Sequence, residues 1–178
     1  MKLREMHHAI DGEQLTNFDT SFVSHYIYRL TVNALSVEIT EEKLDVPFQN
    51  IYPFHFIKKD IDEADFAVVA EIEDKTIAGF AVAKFEEWNK RVVLTEIFVA
   101  PEYRGKLIGR ALIDAVIEYA KTTFARCLWL ETQNVNYPAI QFYRKIGFEF
   151  CGFDSALYNP ADVSSGEIAF YFCKDLSK

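Results

Sequence analysis

The chain has 178 residues and a formal net charge of −8; half of its residues are hydrophobic and 15% are aromatic. That composition excludes a disordered polypeptide, and the sequence pI near 5.0 lacks the basic footprint of a nucleic-acid binder. The length suits one domain with a sizeable core.

The opening run MKLREMHHAID has no apolar signal-peptide stretch, and no apolar run is long enough to cross a membrane, so a soluble cytoplasmic protein is expected. Residues 21–39 are rich in β-branched and aromatic types and favour one or two strands. PFQNIYPFHFIKKD, punctuated by Pro47 and Pro53, reads as a loop or short helical turns. FAVVAEIE, then Asp74-Lys75, then TIAGFAVAKFEE reads as a hairpin, and RVVLTEIFVA as a further strand stopped by Pro101. Ile108, Ala111, Leu112, Ala115 and Tyr119 recur at helical spacing, which predicts a helix over 108–121. CLWLET is a short strand buried on both faces. NYPAIQFYRKI is a second helix, with Asn136 as cap, Pro138 in its first turn and Gly147 at its end. FEFCGFDSALY and EIAFYFCKDL close the chain as strands. The expected class is therefore α/β (α+β), a mixed sheet with helices against it. Cys127, Cys151 and Cys173 lack metal-ligand spacing, as do His7, His8, His25 and His55, so no metal is expected.

One turn stands apart in this acidic chain. PEYRGKLIGRAL gathers Arg104, Lys106 and Arg110 around Gly105 and Gly109 at the mouth of a helix. A helix N-terminus presents unpaired N–H groups and a positive dipole end, and glycine lets a ligand approach the backbone. The combination suits phosphate or pyrophosphate. It matches neither the G-x-x-x-x-G-K-[ST] loop nor the dinucleotide G-x-G-x-x-G fingerprint. Taken alone, the turn also reads as an ordinary loop with solvated charges.

Its context adds a resemblance. The order LTEIFVA, PEYRGKLIGRAL, LWLET, NYPAIQFYRKIGFE resembles the GNAT superfamily of acyl-CoA N-acyltransferases over residues 66–174. The pyrophosphate loop corresponds to Arg104-Gly105-Lys106-Leu107-Ile108-Gly109, and the later helix motif to Asn136, Ala139, Tyr143, Gly147 and Phe148. Leu107 departs from the family, which usually has glycine there. The runs LETQNVNYPAIQFYRKIGF and DSALY further resemble the streptothricin acetyltransferases within that superfamily.

The resemblance implies a mostly antiparallel central sheet with a splayed strand pair, acetyl-CoA as co-substrate, and a small-molecule amine as acceptor, with residues 1–65 on the acceptor side. A streptothricin-type antibiotic is the leading acceptor; a polyamine, an amino acid, a protein N-terminus or a non-catalytic acyl-CoA-binding module are the alternatives. A monomer and a homodimer are both compatible, with aromatics near Tyr52 to Phe56 allowing the latter. Glu96 is implied as acceptor of the amine's proton or anchor of its cation, against a solvent-facing strand carboxylate. Tyr143 is implied as hydrogen-bond donor to the leaving thiolate, against an aromatic packed on the sheet. Phe98 and Val99 would offer backbone groups to the pantetheine arm, and Arg104, Gly105, Lys106, Ile108, Gly109 and Arg110 would hold the pyrophosphate. Asn136 would touch the cofactor or cap its helix, with small Ala139 where the cofactor passes. Trp88, Asp154 and Tyr158 are candidates for an acceptor pocket, since aromatic faces and a carboxylate suit a cation.

Overall fold

The computed structural model describes residues 1–51, 61–163 and 166–176. The elements in chain order are β1 (Lys2–Glu5), α1 (His8–Thr16), β2 (Phe22–Asn33), β3 (Ser36–Asn50), β4 (Phe66–Glu71), β5 (Ile77–Glu86), β6 (Arg91–Val99), α2 (Ile108–Thr122), β7 (Cys127–Gln133), α3 (Tyr137–Lys145), β8 (Glu149–Asp154) and β9 (Ala169–Asp175). The chain forms two compact units. One comprises Met1–Ser21, Ile51–Leu130 and Lys174–Lys178, the other Phe22–Asn50 and Glu131–Cys173.

In the first unit the strand order is β1-β4-β5-β6-β7. The ladders are antiparallel except that of β6 with β7, which is parallel. β5 is buried from Ile77 to Ala83. On one face Phe80 and Val82 pack with Val69, Met6 and Leu15, and Phe18 and Phe98 close that cluster. Against this sheet α2 turns Ile108, Leu112, Ile113, Val116 and Ala120; the helix lies where spacing predicts it, but of the predicted stripe only Ile108 and Leu112 are fully buried, and Ala111, Ala115 and Tyr119 flank the buried face half-exposed. In the second unit β9 pairs antiparallel with β8, while β2 and β3 form a separate long hairpin. The result is the mixed, mostly antiparallel sheet with helices expected from the sequence.

One local reading changes. Pro47 to Asn50 are not a loop but the end of β3. Ser24 pairs with Phe48 and Tyr26 with Lys43, so Leu44 to Pro47 bulge out opposite His25, and a bulge accommodates a proline that a regular ladder would not. Tyr52 to Asp60 lie outside the described residues. Two elements at the start, β1 and α1, have no clear apolar period and are not expected from the sequence. α1 buries only Asp11 and Leu15. A polar interaction holds it: Arg4 donates to both Asp11 oxygens (2.9 and 2.7 Å) and to Glu71 (2.8 Å), and the His7 N–H donates to Asp11 (2.8 Å).

Asp11 is 1% exposed. Burial alone would push its carboxyl up, but the Arg4 and His7 hydrogen bonds outweigh that and hold it below the ordinary aspartate range. A depressed folded-state value gives stability that is present above the unfolded pKa of ~3.9 and is lost as pH falls through the folded value. Asp11→Asn is therefore expected to lower the thermal midpoint at neutral pH, by about 3–5 kcal/mol in stability if the pair behaves as a buried one. The gap to the wild type should narrow as the solution is acidified below about pH 4. Melts of both proteins across that range check this; a gap independent of pH means the charge on Asp11 contributes nothing.

Candidate active site

The first unit places its candidate residues on β6 and the turn after it. The β6–β7 ladder runs from Arg91↔Cys127 to Leu94↔Leu130. Directly after Leu94, β6 carries one extra residue: Ala83 pairs with Leu94 and Val82 with Glu96, leaving Thr95 as a bulge whose hydroxyl donates to the Val82 carbonyl (3.2 Å). Partners across an antiparallel ladder share a face and successive residues alternate. The bulge therefore moves Glu96 off the face of Leu94 and onto that of Val82 and Phe80. Beyond it the alternation is regular, so half-buried Glu96 faces away from Ile97 and Val99. The Phe98 ring packs on Phe80 (5.5 Å between centroids), so its half-buried side chain lies against the core cluster.

Val99 pairs with Gly79, and here a side chain would not fit. A Cβ on Gly79 would lie 2.7 Å from the Phe98 carbonyl oxygen and 3.3 Å from Ile108. The missing methyl lets β5, the end of β6 and the first residue of α2 meet.

A short 3-10 turn, Pro101–Tyr103, then leads into the basic turn. Gly105 (φ 76°) and Leu107 (φ 65°) both take the left-handed conformation. Leu107 is the N-cap of α2, has no side-chain capping bond, and its side chain is 79% exposed. Ile108 is buried and Gly109 half-buried. The three cations of the turn behave differently. All three are exposed; Lys106 lies 5.0 Å from the Tyr103 ring, and Arg110 is paired with Asp114 one turn along α2 (2.9 Å). Arg104 instead donates to two backbone carbonyls, those of Val99 (2.9 Å) and Ser21 (2.5 Å). Trp88 lies in the Glu87–Lys90 turn ahead of β6 and is 83% exposed.

The second unit holds the remaining candidates. Asn136 caps α3: its side chain accepts from the Ala139 N–H (3.3 Å). Tyr143 is buried, with Phe148 at 5.8 Å and Phe172 at 6.3 Å between ring centroids. Asp154 ends β8 and accepts from the Ala156 N–H (2.8 Å), which forms the adjoining turn. Tyr158, further along, donates its hydroxyl to Glu131. Sequence pattern assigns no role to Glu131, which stands in the apolar run CLWLET on β7. Burial pushes its carboxyl up to about 7, against the opposing pull of the Tyr158 hydrogen bond. Nor does pattern single out Asn134. Its buried side chain donates to the carbonyls of Tyr28 (2.8 Å) and Gly166 (3.3 Å) and accepts from the Ile168 N–H (2.7 Å), a fully satisfied clamp. Spacing gives no signal for either residue; only the folded surroundings identify them. Among the described residues there is no group of three or more side chains suited to a metal ion, and no helix is long and apolar enough to cross a membrane.

Residues 27–148 match the family model described as the acetyltransferase (GNAT) family. The chain is 37% identical, over 90% of its length and 88% of the relative's, to the streptothricin acetyltransferase of Streptomyces lavendulae. Among solved structures it is similar to nourseothricin acetyltransferase, with a TM-score of 0.89 and 35% identity over 98% of both chains. It is also similar to a Bacillus anthracis protein assigned as a streptothricin acetyltransferase and solved in complex with acetyl coenzyme A, with a TM-score of 0.78 and 28% identity over 98% of this chain and 96% of that one.

Leu107 holds a conformation that costs a non-glycine residue about 1–2 kcal/mol. Its side chain is mostly outside the core, so Leu107→Gly removes the strain with little loss of packing. The substitution is expected to raise the thermal midpoint and to leave the affinity for acetyl-CoA equal or tighter. Melting curves and acetyl-CoA titration check this; a weaker, less stable variant would show that the exposed leucine makes a contact worth more than the strain.

Proposed function

The chain belongs to the acetyltransferase (GNAT) family, and on that premise we propose that it moves the acetyl group of acetyl-CoA to a primary amine of a streptothricin-type antibiotic, inactivating it. The observation that carries the reading is the likeness to streptothricin and nourseothricin acetyltransferases along nearly the whole of each chain, N-terminal third included. A shared cofactor motif alone would have supported the reaction and left the acceptor open.

The reaction is a direct transfer. The neutral amine attacks the thioester carbon, the C–N bond forms, the C–S bond breaks, and the thiolate takes a proton. An ammonium of pKa ~10 must first lose its own proton. Glu131 suits that task, because a base works best when its pKa lies near the operating pH and burial lifts this carboxyl to about 7. The Tyr158 hydroxyl, which donates to Glu131, orients it. Glu96 then serves as the anchor of the acceptor's cation. Tyr143 is the donor to the leaving sulfur, and its packing against Phe148 and Phe172 fixes the ring. The left-handed turn at Gly105 to Leu107 and the α2 N-terminus receive the pyrophosphate, with Lys106 and Arg110 adding charge.

Expression in a streptothricin-sensitive cell tests the acceptor. Streptothricin should lose its activity while aminoglycosides and other amine-bearing antibiotics keep theirs, and purified protein should release free thiol from acetyl-CoA only with streptothricin-type acceptors. Resistance to none of the panel, with thiol release driven by a polyamine or peptide, would move the acceptor elsewhere.

The pH profile tests the base. Wild-type kcat/KM should climb through about pH 7 as Glu131 loses its proton. Glu131→Gln should remove that limb and cut the neutral-pH rate by roughly 10²–10⁴, with partial recovery at high pH where free amine is abundant. Glu96→Gln should act mainly on the acceptor's KM. If Glu96→Gln is the variant that flattens the profile, the two roles are exchanged.

A further inference from the structure

The geometry points to Arg104 as a positioning residue that locks the end of β6 and the segment at Ser21, rather than as a ligand of the cofactor's phosphates; this rests on the acetyl-CoA reading above. Its guanidinium reaches a residue 83 positions away in sequence, donating through Nε to Val99 (2.9 Å) and through its terminal nitrogen to Ser21 (2.5 Å). Both acceptors are backbone carbonyls, so what Arg104 fixes is the course of the chain. Ser21 is held from its other side as well, since its N–H donates to Asp19 (2.9 Å), whose charge also faces Arg104. Val99 is held from its other side by the close approach at Gly79.

The three cations of the turn can be ranked by what each would give up to meet a phosphate. All three are exposed, but Lys106 and Arg110 sit in local pairings with Tyr103 and Asp114, which lie within four positions of them in sequence and are readily exchanged. Arg104 would have to release two charge-assisted hydrogen bonds, each to a carbonyl at the edge of the site. A planar fork with several fixed donors suits that two-carbonyl task, and a lysine point charge does not. The consequence concerns the part of the donor that Arg104 serves. A phosphate ligand acts on the nucleotide half of acetyl-CoA. A brace on Val99 acts on the strand end that meets the thioester arm, and this is felt whether or not the nucleotide is attached.

The test compares two acetyl donors, acetyl-CoA and acetylpantetheine, which keeps the thioester arm and lacks the pyrophosphate. Arg104→Gln and Arg104→Lys are each expected to lower kcat/KM about ten-fold or more, the loss of at least one hydrogen bond from a charged donor. The factor should be the same for both donors, and lysine should not rescue. A loss confined to acetyl-CoA, or recovery of acetyl-CoA turnover by lysine, overturns the inference and makes Arg104 a phosphate ligand. Should both variants fail to fold, Asp19→Ala loosens only the Ser21 anchor; its smaller loss should again be equal for the two donors, and an unequal one overturns the inference. Wild-type turnover of acetyl-CoA is the control that separates failure here from failure of the acetyl-CoA reading.

Discussion

The extra residue in β6 is the constraint on which the candidate site in the first unit depends. A regular strand would put Leu94 and Glu96 on one face. Thr95 breaks that phase, so Leu94 pairs with Ala83 and stays 4% exposed, while Glu96 pairs with Val82. The same strand thus presents a buried leucine on one face before the bulge and a half-buried carboxylate on the other face after it. Bulges are recurrent devices for re-aiming side chains near active sites, and this one does so one residue past the last β7 pairing. The cost of the lost ladder step is partly offset by the Thr95 hydroxyl, which satisfies the Val82 carbonyl.

The start of α2 depends in turn on where β6 ends. Gly79 brings the β5 backbone against Phe98, and Ile108 closes on the same spot, so the first residue of α2 is pinned by packing rather than by a cap. α3 shows the contrast: Asn136 commits its side chain to the Ala139 N–H. Of these two helix starts, α2 is the one with no side-chain acceptor on its first turn, the state an anion would exploit. In the second unit, Asn134 plays a comparable locking role through its three side-chain hydrogen bonds. Buried polar groups of this kind fix a backbone when every donor and acceptor is satisfied.

The legible part of this fold is the part written in periodicity. The β4–β5 hairpin, β6, α2, β7, α3 and β9 arise from apolar alternation, helical spacing and turn residues, and each lies close to its predicted range. α1 is not legible because an ion pair, not an apolar stripe, fixes it: its buried residues are Asp11 and Leu15. The end of β3 is hidden behind Pro47, whose tolerance depends on a bulge that no local pattern announces. Within the candidate site, the basic turn and Asn136 are readable as motifs. Glu131 is not, because a carboxylate in an apolar strand looks the same in sequence whether it faces water or a tyrosine. Its raised pKa comes from burial, which is a property of the folded surroundings alone.

Leu107 shows which property of the basic turn is indispensable. The family's usual glycine suggests that the residue type matters, yet the chain keeps the left-handed conformation (φ 65°) with leucine. The strain, about 1–2 kcal/mol, is a sizeable fraction of the roughly 5–15 kcal/mol by which a domain is typically stable. It persists because the turn is over-determined on both sides: Arg104 ties its start to Val99 and Ser21, and buried Ile108 ties its end to the sheet. A backbone held at both ends cannot relax by rotating one residue, so the leucine is forced outward and its side chain lies 79% exposed. The requirement of this site is therefore a backbone shape. Glycine is the least costly way to meet it, and a well-braced turn can meet it with another residue.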